Sequence, residues 1–377
     1  MNRIIVLCAA VFAAGLGFFA SMPALADDSA ASIAAGGLVP RREMRIVMAK
    51  EVLQISPTKV TVDYDFRNDS DQNVTTEVAF PVPPYENEYP EEDVAEQSFQ
   101  SFQLWVDGKP VHFDVEAKAT LEGKDVTQDL TANHIDIPTF GHFTDWVDAS
   151  YTEQATTQDF DRLSKPVKDQ ILKAGLFEDE GGGFIRALWT ANVQYHWTQT
   201  FPAHSTIHIR HEYTPVEGSE LMPLDTLKDA LNPPGARPTS KPTSADEKQY
   251  ASDQLELLKS FCPDASLLRE IVQRVEANDP QNGVFALPHW VDFILTTANT
   301  WKQPIEDFIL IIERGKPDDM ENGQMLISFC SPQNANVDKL DADHFQVHLA
   351  NFVPTAELRI GFFDVPMAKP TQPAPNK

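Results

Sequence analysis

The stretch "VTVDYDFRNDSDQNVTTEVAFPVPP", Val60 to Pro84, decides the fold class. Val60, Val62, Tyr64 and Phe66 alternate with Thr61, Asp63 and Asp65, the two-residue period of a strand with one face in a core. "RNDSDQN" supplies turn residues, and Val74, Thr76, Val78, Phe80 and Val82 restart the alternation, so the segment reads as a β-hairpin. Pro81, Pro83 and Pro84 cannot donate to a sheet ladder, so the second strand ends or lies at a sheet edge there.

The pattern continues outward. In "SFQLWVDGKPVHFDVEA", Phe102, Leu104 and Val106 face Val111, Phe113 and Val115 across Asp107-Gly108, a strong hairpin signal. "EMRIVMAKEVLQIS" offers one or two more strands upstream. "ALWTANVQYHWTQTFPAHSTIHIRHEYTPVEG" offers two downstream, with Tyr195, Trp197, Gln199 and Phe201 on one face and Ile207, Ile209 and Tyr213 in the next run. Seven or so short strands imply a sandwich. A helical insertion interrupts it at about 158–178, where Ser164 caps, Pro166 lies in the first turn and Gly175 ends the helix.

"LNPPGARPTSKPTS", 231–244, lacks periodicity and reads as a Pro-rich linker. Two helices follow it. Ser244 and Glu247 have the spacing of a capping box at the start of the first. Asp264 is an N-cap for the second, whose apolar stripe is Leu267, Leu268, Ile271, Val272 and Val275. Strands then return in "HWVDFILTTANTWKQPIEDFILIIERG", "MLISFCS", "HFQVHLANF" and "AELRIGFF". The expected fold is mainly β with helical insertions: two β-sandwich-like domains, the second preceded by a helical segment. The first occupies 27–218, the second 245–365, and 366–377 reads as a disordered tail.

The N-terminus, "MNRIIVLCAAVFAAGLGFFASMPALADDSA", has a basic leader residue, an apolar run from Ile4 to Ala20 and the small-x-small site Ala24-Leu25-Ala26. That is the grammar of a signal peptide over 1–26, with the mature chain starting near Asp27 and exported to the periplasm or beyond. No second apolar stretch approaches spanning length. Removing the leader leaves 29 basic against 56 acidic residues, a net charge of -27 that repels nucleic acid and anionic lipid. Of the three cysteines, Cys8 leaves with the leader. Cys262 and Cys330 are then expected to bridge, closing a loop for which chain entropy gives about 4 kcal/mol.

Several stretches together resemble a bacterial secreted family known as domain-of-unknown-function family 4424. They are "AAGGLVP", "YDFRNDSDQNVTTEVAFPVPP", "YHWTQTFPA", "HEYTPVEG", "FCPD", "VDFILTTANTW" and "LISFC". The resemblance covers nearly all of the mature chain and implies an exported protein with no assigned catalytic or binding residue. "FRNDSDQNVTTEVAFPVPP" also looks locally like the start of a vault and inter-alpha-trypsin type domain, although "DGKP" lacks the Asp-x-Ser-x-Ser metal-adhesion pattern.

Chemistry-bearing motifs fail one by one. Asp69, Asp71 and Asn73 start like a calcium loop, but Val74 and Phe80 stand where glycine and a bidentate acid are required. They read instead as turn residues. His204, His208 and His211 cannot chelate together on an extended strand, because 208 and 211 face opposite ways, and His344 and His348 are likewise too far apart. His196 lies opposite the apolar face and is expected to be exposed. There is no Gly-x-Ser-x-Gly elbow. Of the six tryptophans, Trp197 is expected in the core, while Trp146 in "GHFTDWVDAS" has no clear period and reads either as core or as part of an exposed binding loop.

The expected function is accordingly a non-catalytic binding or assembly module of the cell envelope, with a protein partner and with no catalytic residue, metal or cofactor assigned. The acidic stretch Asn87 to Phe99 is the first candidate for a partner surface. The alternative is an envelope hydrolase whose active site is assembled from distant residues.

Overall fold

The computed structural model describes residues 28–34, 37–85, 101–135, 137–140, 163–181, 184–233, 237–239, 244–278, 285–315 and 325–365. The leader, the acidic stretch 87–99, Trp146 and the tail 366–377 lie outside these residues.

The chain opens with β1 (Ser29–Ala34), β2 (Gly37–Pro40), β3 (Ile46–Ile55), β4 (Val60–Asn68) and β5 (Val74–Pro81). It continues through β6 (Gln103–Val106), β7 (Lys109–Pro110), β8 (Asp114–Leu121), β9 (Lys124–Asp125), β10 (Phe177–Gly181) and β11 (Phe184–Ala187). Then come β12 (Thr190–Phe201), β13 (Ser205–Tyr213), β14 (Glu217–Ser219), β15 (Met222–Pro223) and β16 (Phe285–Phe293). The last are β17 (Ile305–Glu313), β18 (Leu326–Phe329), β19 (Asp338–Lys339), β20 (His344–Phe352) and β21 (Leu358–Asp364).

These strands build three larger sheets. One has the order β2-β1-β5-β12-β8-β9, another β19-β20-β17-β3-β4-β13-β6-β7, and the third β14-β16-β21-β18 with β15 beside β16. Residues of all three join one apolar cluster that includes Tyr64, Phe66, Phe80, Tyr195, Trp197, Phe293, Phe308 and Ile360. The far side of the third sheet is covered by helices: Leu227, Leu258, Leu268, Ile271 and Val275 pack with Ala286, Leu326 and Phe363 in a second cluster. The protein is thus mainly β with helical additions, and its sheets are layered as in a sandwich.

The Val60 to Pro84 segment is not a hairpin. Strand β4 pairs with β3 and β13, whereas β5 pairs with β1 and β12. The turn between them is an arch that carries the chain from one layer to the other. Alternation cannot distinguish the two outcomes, because both strands present an apolar face to the same core in either case. The Asn68 side chain fixes the arch, donating to the carbonyls of Gln72 at 2.8 Å and Phe201 at 2.9 Å while accepting from the Ser70 amide at 3.0 Å. Strands β12 and β13 repeat the device, since they also belong to different sheets. In contrast, β6 and β7 do form a hairpin, with Asp107 (φ 49°) and Gly108 (φ 73°) both left-handed as a tight turn of this kind requires. Its ladder stops at Pro110, however, and Val115, expected in the second arm, is exposed and pairs with Tyr195 of β12 in another sheet.

Hydrogen bonding also crosses the expected division at 231–244. Strand β17 pairs in parallel with β3, Phe308 opposite Glu51 and Ile312 opposite Ile55, so strands from both halves of the chain share the largest sheet. A parallel pairing between distant strands is legible in neither strand alone.

The helices follow their local signals. Ser164 precedes a helix over Lys165–Lys173 with Pro166 in its first turn, and Gly175 (φ 69°) follows its end. The Ser244 hydroxyl accepts from the Glu247 amide at 3.1 Å ahead of Ala245–Ser260. The Asp264 carboxylate accepts from the amides of Ser266 and Leu267 at 2.7 and 2.8 Å ahead of Ala265–Asn278. Cys262 and Cys330 are joined by a disulfide with Cα atoms 5.0 Å apart.

Candidate functional site

Two places in the fold gather chemistry-bearing groups. The first is buried. The Asp28 and His211 side chains are both fully enclosed, with His211 Nε2 2.9 Å from Asp28 Oδ1. His211 sits on β13 and points into the space between two sheets, where aromatic rings surround it. Ring centres of Phe80, Phe102, Trp197 and Tyr64 lie 4.9, 5.3, 5.3 and 5.6 Å from the imidazole.

The backbone of Asp28 is held as firmly as its side chain. Trp301 Nε1 donates to the Asp28 carbonyl at 2.6 Å, and the Asp28 amide approaches the Tyr64 hydroxyl at 3.5 Å. Burial pushes the Asp28 carboxyl above its ordinary range, and the neighbouring imidazole opposes that shift. A second carboxyl, Glu51 on β3, is also fully buried, and it stands opposite Tyr64 in the β3–β4 register. The sequence offered no sign of this layer. In sequence Asp28 is one acidic residue of a polar run, and Glu51 occupies an inward position that alternation assigns to an apolar residue.

The second place is a small cleft of about 20 Å³, lined by Val82, Pro83, Tyr195, Tyr213, Pro215 and Asp292 among others. That volume has room for about one water molecule and is far below that of small-molecule sites. Its walls come from the proline-rich end of β5, from β12, from the segment after β13 and from β16, so both halves of the chain contribute. The Val82 amide donates to Val193 at 3.0 Å, and the Thr214 amide donates to the Ser101 hydroxyl at 2.9 Å. Asp292 is gripped by Arg359 through two contacts of 2.7 and 2.8 Å, and the Arg359 guanidinium lies 5.8 Å from the Trp290 ring. Gly218 faces Trp290 closely enough that a Cβ there would come within 2.1 Å of the indole, so this approach needs glycine. Burial raises the Tyr195 phenol, which therefore stays protonated.

The other histidines are dispersed. His204 pairs with Asp71 at 2.8 Å in the exposed turn, and His208 lies between Asp63 and Asp65 at 3.1 Å each on the outer face. His348 meets Asp307 at 2.6 Å. His344 meets Asp341 at 2.9 Å, which raises the imidazole pKa. His196 is less exposed than its strand position suggests: its side chain retains 14% of its accessible surface and contacts Glu77 at 2.7 Å. The Glu77 carboxylate covers it from β5 and also accepts from Thr198 at 2.9 Å. Among the described residues no three histidine, cysteine or acidic side chains converge as metal ligands. Trp197 lies in the core.

Among described residues no helix is long and apolar enough to cross a membrane, which says nothing of strands. Among solved structures, a "putative nutrient binding protein" from Legionella pneumophila subsp. pneumophila str. Philadelphia 1 is similar at 13% identity, with a TM-score of 0.34. The match covers 90% of this chain and 72% of that one. No curated protein matches. Stretches that build the buried layer, "YDF", "YHW", "HEY" and "TANTW", lie within four of the seven that carry the sequence resemblance noted above. The family described as a domain of unknown function (DUF4424) matches residues 26–360, and the chain belongs to it.

Proposed function

We propose that the protein is a non-catalytic binding or assembly module of the cell envelope, exported by its leader and engaging a protein partner at the Val82–Asp292 cleft. The observation that supports this reading is the cleft itself. It joins the two halves of the chain, combines aromatic and proline surface with a carboxylate oriented by Arg359, and has a floor fixed by backbone hydrogen bonds. At about 20 Å³ the concavity is too small for a small-molecule ligand, which favours a protein surface as its occupant. The candidate surface at Asn87 to Phe99 falls between Tyr85 and Ser101, and Ser101 is bonded to Thr214 of the cleft wall.

Mild crosslinking of the mature protein in its native envelope, followed by affinity purification and mass spectrometry, is expected to recover a stoichiometric partner. Filling the cleft with Val216→Trp is expected to lose that partner while thermal unfolding stays close to that of the parent. A partner retained by the filled variant would remove the cleft from the reading. A clean monomer from both would sink the binding role.

A further inference from the structure

The loop from β2 to β3 reads "VPRREMR", 39–45, and places three arginines within five positions of a chain whose net charge is -26. Every residue of it except Glu43 is exposed, and Met44 and Val39 keep 55% and 46% of their accessible surface. Glu43 fixes the loop. Its amide donates to the Thr300 carbonyl at 2.9 Å, and it bridges to Trp301. Its carboxylate accepts from the Arg45 amide at 3.0 Å and from the Arg45 guanidinium at 2.7 and 2.6 Å. On either side, the Arg41 amide donates to the Ala30 carbonyl at 2.7 Å and the Lys302 amide to the Ile46 carbonyl at 3.0 Å. A loop held at both ends and in the middle loses little freedom when a partner settles on it.

The charges on this loop are not all spent within it. Arg45 is committed to Glu43. Among the described residues Arg42 forms no ion pair, and Arg41 acts on Glu43 only through space. Two exposed guanidiniums therefore stand beside two exposed apolar side chains, Met44 and Val39. Guanidinium forks match carboxylates in shape, and the Arg45–Glu43 pair shows that match on the same loop. An anionic bilayer fits less well. Lipid-binding clusters gather roughly four to eight basic residues, and a flat membrane would also face much of the acidic surface around the loop. A single acidic segment meets the arginines and leaves most of that surface beyond the screening distance of about 8–10 Å.

From this we infer that loop 39–45 is a docking surface for an acidic, partly apolar segment of a protein partner. Carboxylates of that segment pair with Arg41 and Arg42, and its apolar side chains cover Met44 and Val39. Glu43 and Arg45 hold the loop in shape and take no part in the contact. The surface is independent of the cleft, since the two share no residue.

The test is fluorescence anisotropy of the purified protein with a labelled synthetic peptide of glutamates interspersed with leucines. The parent is expected to bind it, and more tightly at low salt than at high. Arg41→Glu together with Arg42→Glu should weaken binding about tenfold or more. Thermal unfolding of that variant should match the parent, because both side chains are exposed. Met44→Ser should weaken binding by a smaller factor. The cleft-filling Val216→Trp should leave it unchanged, which keeps a failure of the loop distinct from a failure of the cleft. A parent that ignores the peptide, or a double variant that binds it as the parent does, would overturn the proposal. So would equal binding of a peptide with lysine in place of glutamate. Vesicles of equal parts phosphatidylglycerol and phosphatidylcholine supply the other arm. If the parent bound these and ignored the peptide, the surface would belong to lipid and the proposal would fall.

Discussion

His208 and His211 lie three residues apart on the same strand, each against a carboxylate, and the two pairs have little else in common. His208 is 46% exposed and shared between Asp63 and Asp65. His211 is fully enclosed, meets Asp28 alone and is ringed by aromatic side chains. On the outer face water and salt screen the interaction, so it contributes little. Inside, removing one partner leaves a polar group that water cannot reach, and the loss is large whatever the pair itself contributes. Solvent access, more than residue type or separation, decides which histidine the fold depends on.

The sharpest way to break this comparison is His211→Ala, which removes the imidazole from beside the buried Asp28 carboxyl and is expected to cost about 3–5 kcal/mol in urea unfolding. A second change, Asp28→Asn, made in that background should cost less than it does alone. Full additivity would mean that the two side chains are not coupled.

Cys262→Ser with Cys330→Ser is expected to cost about 2–4 kcal/mol. It should add to His211→Ala without coupling, because the disulfide joins the helix end at Phe261 to the strand end at Phe329 and neither cysteine is bonded to Asp28 or His211.

A pH series sharpens the comparison further. Burial raises the Asp28 pKa, so just above the ordinary carboxylate range the folded chain keeps a proton that the unfolded chain has released. Stability contributed by this group therefore falls as pH rises from about 4 towards the raised value. The difference between parent and Asp28→Asn, followed by urea midpoints across that window, should show the slope. No difference would place Asp28 in contact with water.

The smallest expected effect is at the outer pair. His208→Ala should change stability by about 1 kcal/mol or less, and added salt should shrink even that. A cost comparable with that of His211→Ala would erase the distinction between the two faces.

Much of the fold was legible in local chemistry. The helix starts at Ser244 and Asp264 are written in capping residues whose side chains accept from amides two or three positions away, whereas Ser164 makes no such bond and its helix start is marked by Pro166. The Asp107-Gly108 hairpin is written in the left-handed backbone that glycine permits. The alternation from Val60 to Val82 named the inward faces of β4 and β5, and Phe66, Val78 and Phe80 are all buried as that alternation requires. It misnamed the connection, because an arch and a hairpin share one pattern. The site was far less legible. The cleft assembles Val82, Tyr195, Pro215 and Asp292 from positions more than 200 residues apart, and the Asp28 layer assembles residues as distant as Trp301.

By itself, then, the sequence determined what is set by neighbours along the chain: strand faces, turns, helix caps and an acidic net charge. Only the tertiary structure decided which sheet each strand joins, that β17 runs parallel to β3 across the two halves, and that Asp28, Glu51 and His211 share the core. The physical reason is that periodicity records whether a side chain faces the interior, while partner choice and the environment of a buried charge depend on residues brought together by the rest of the chain.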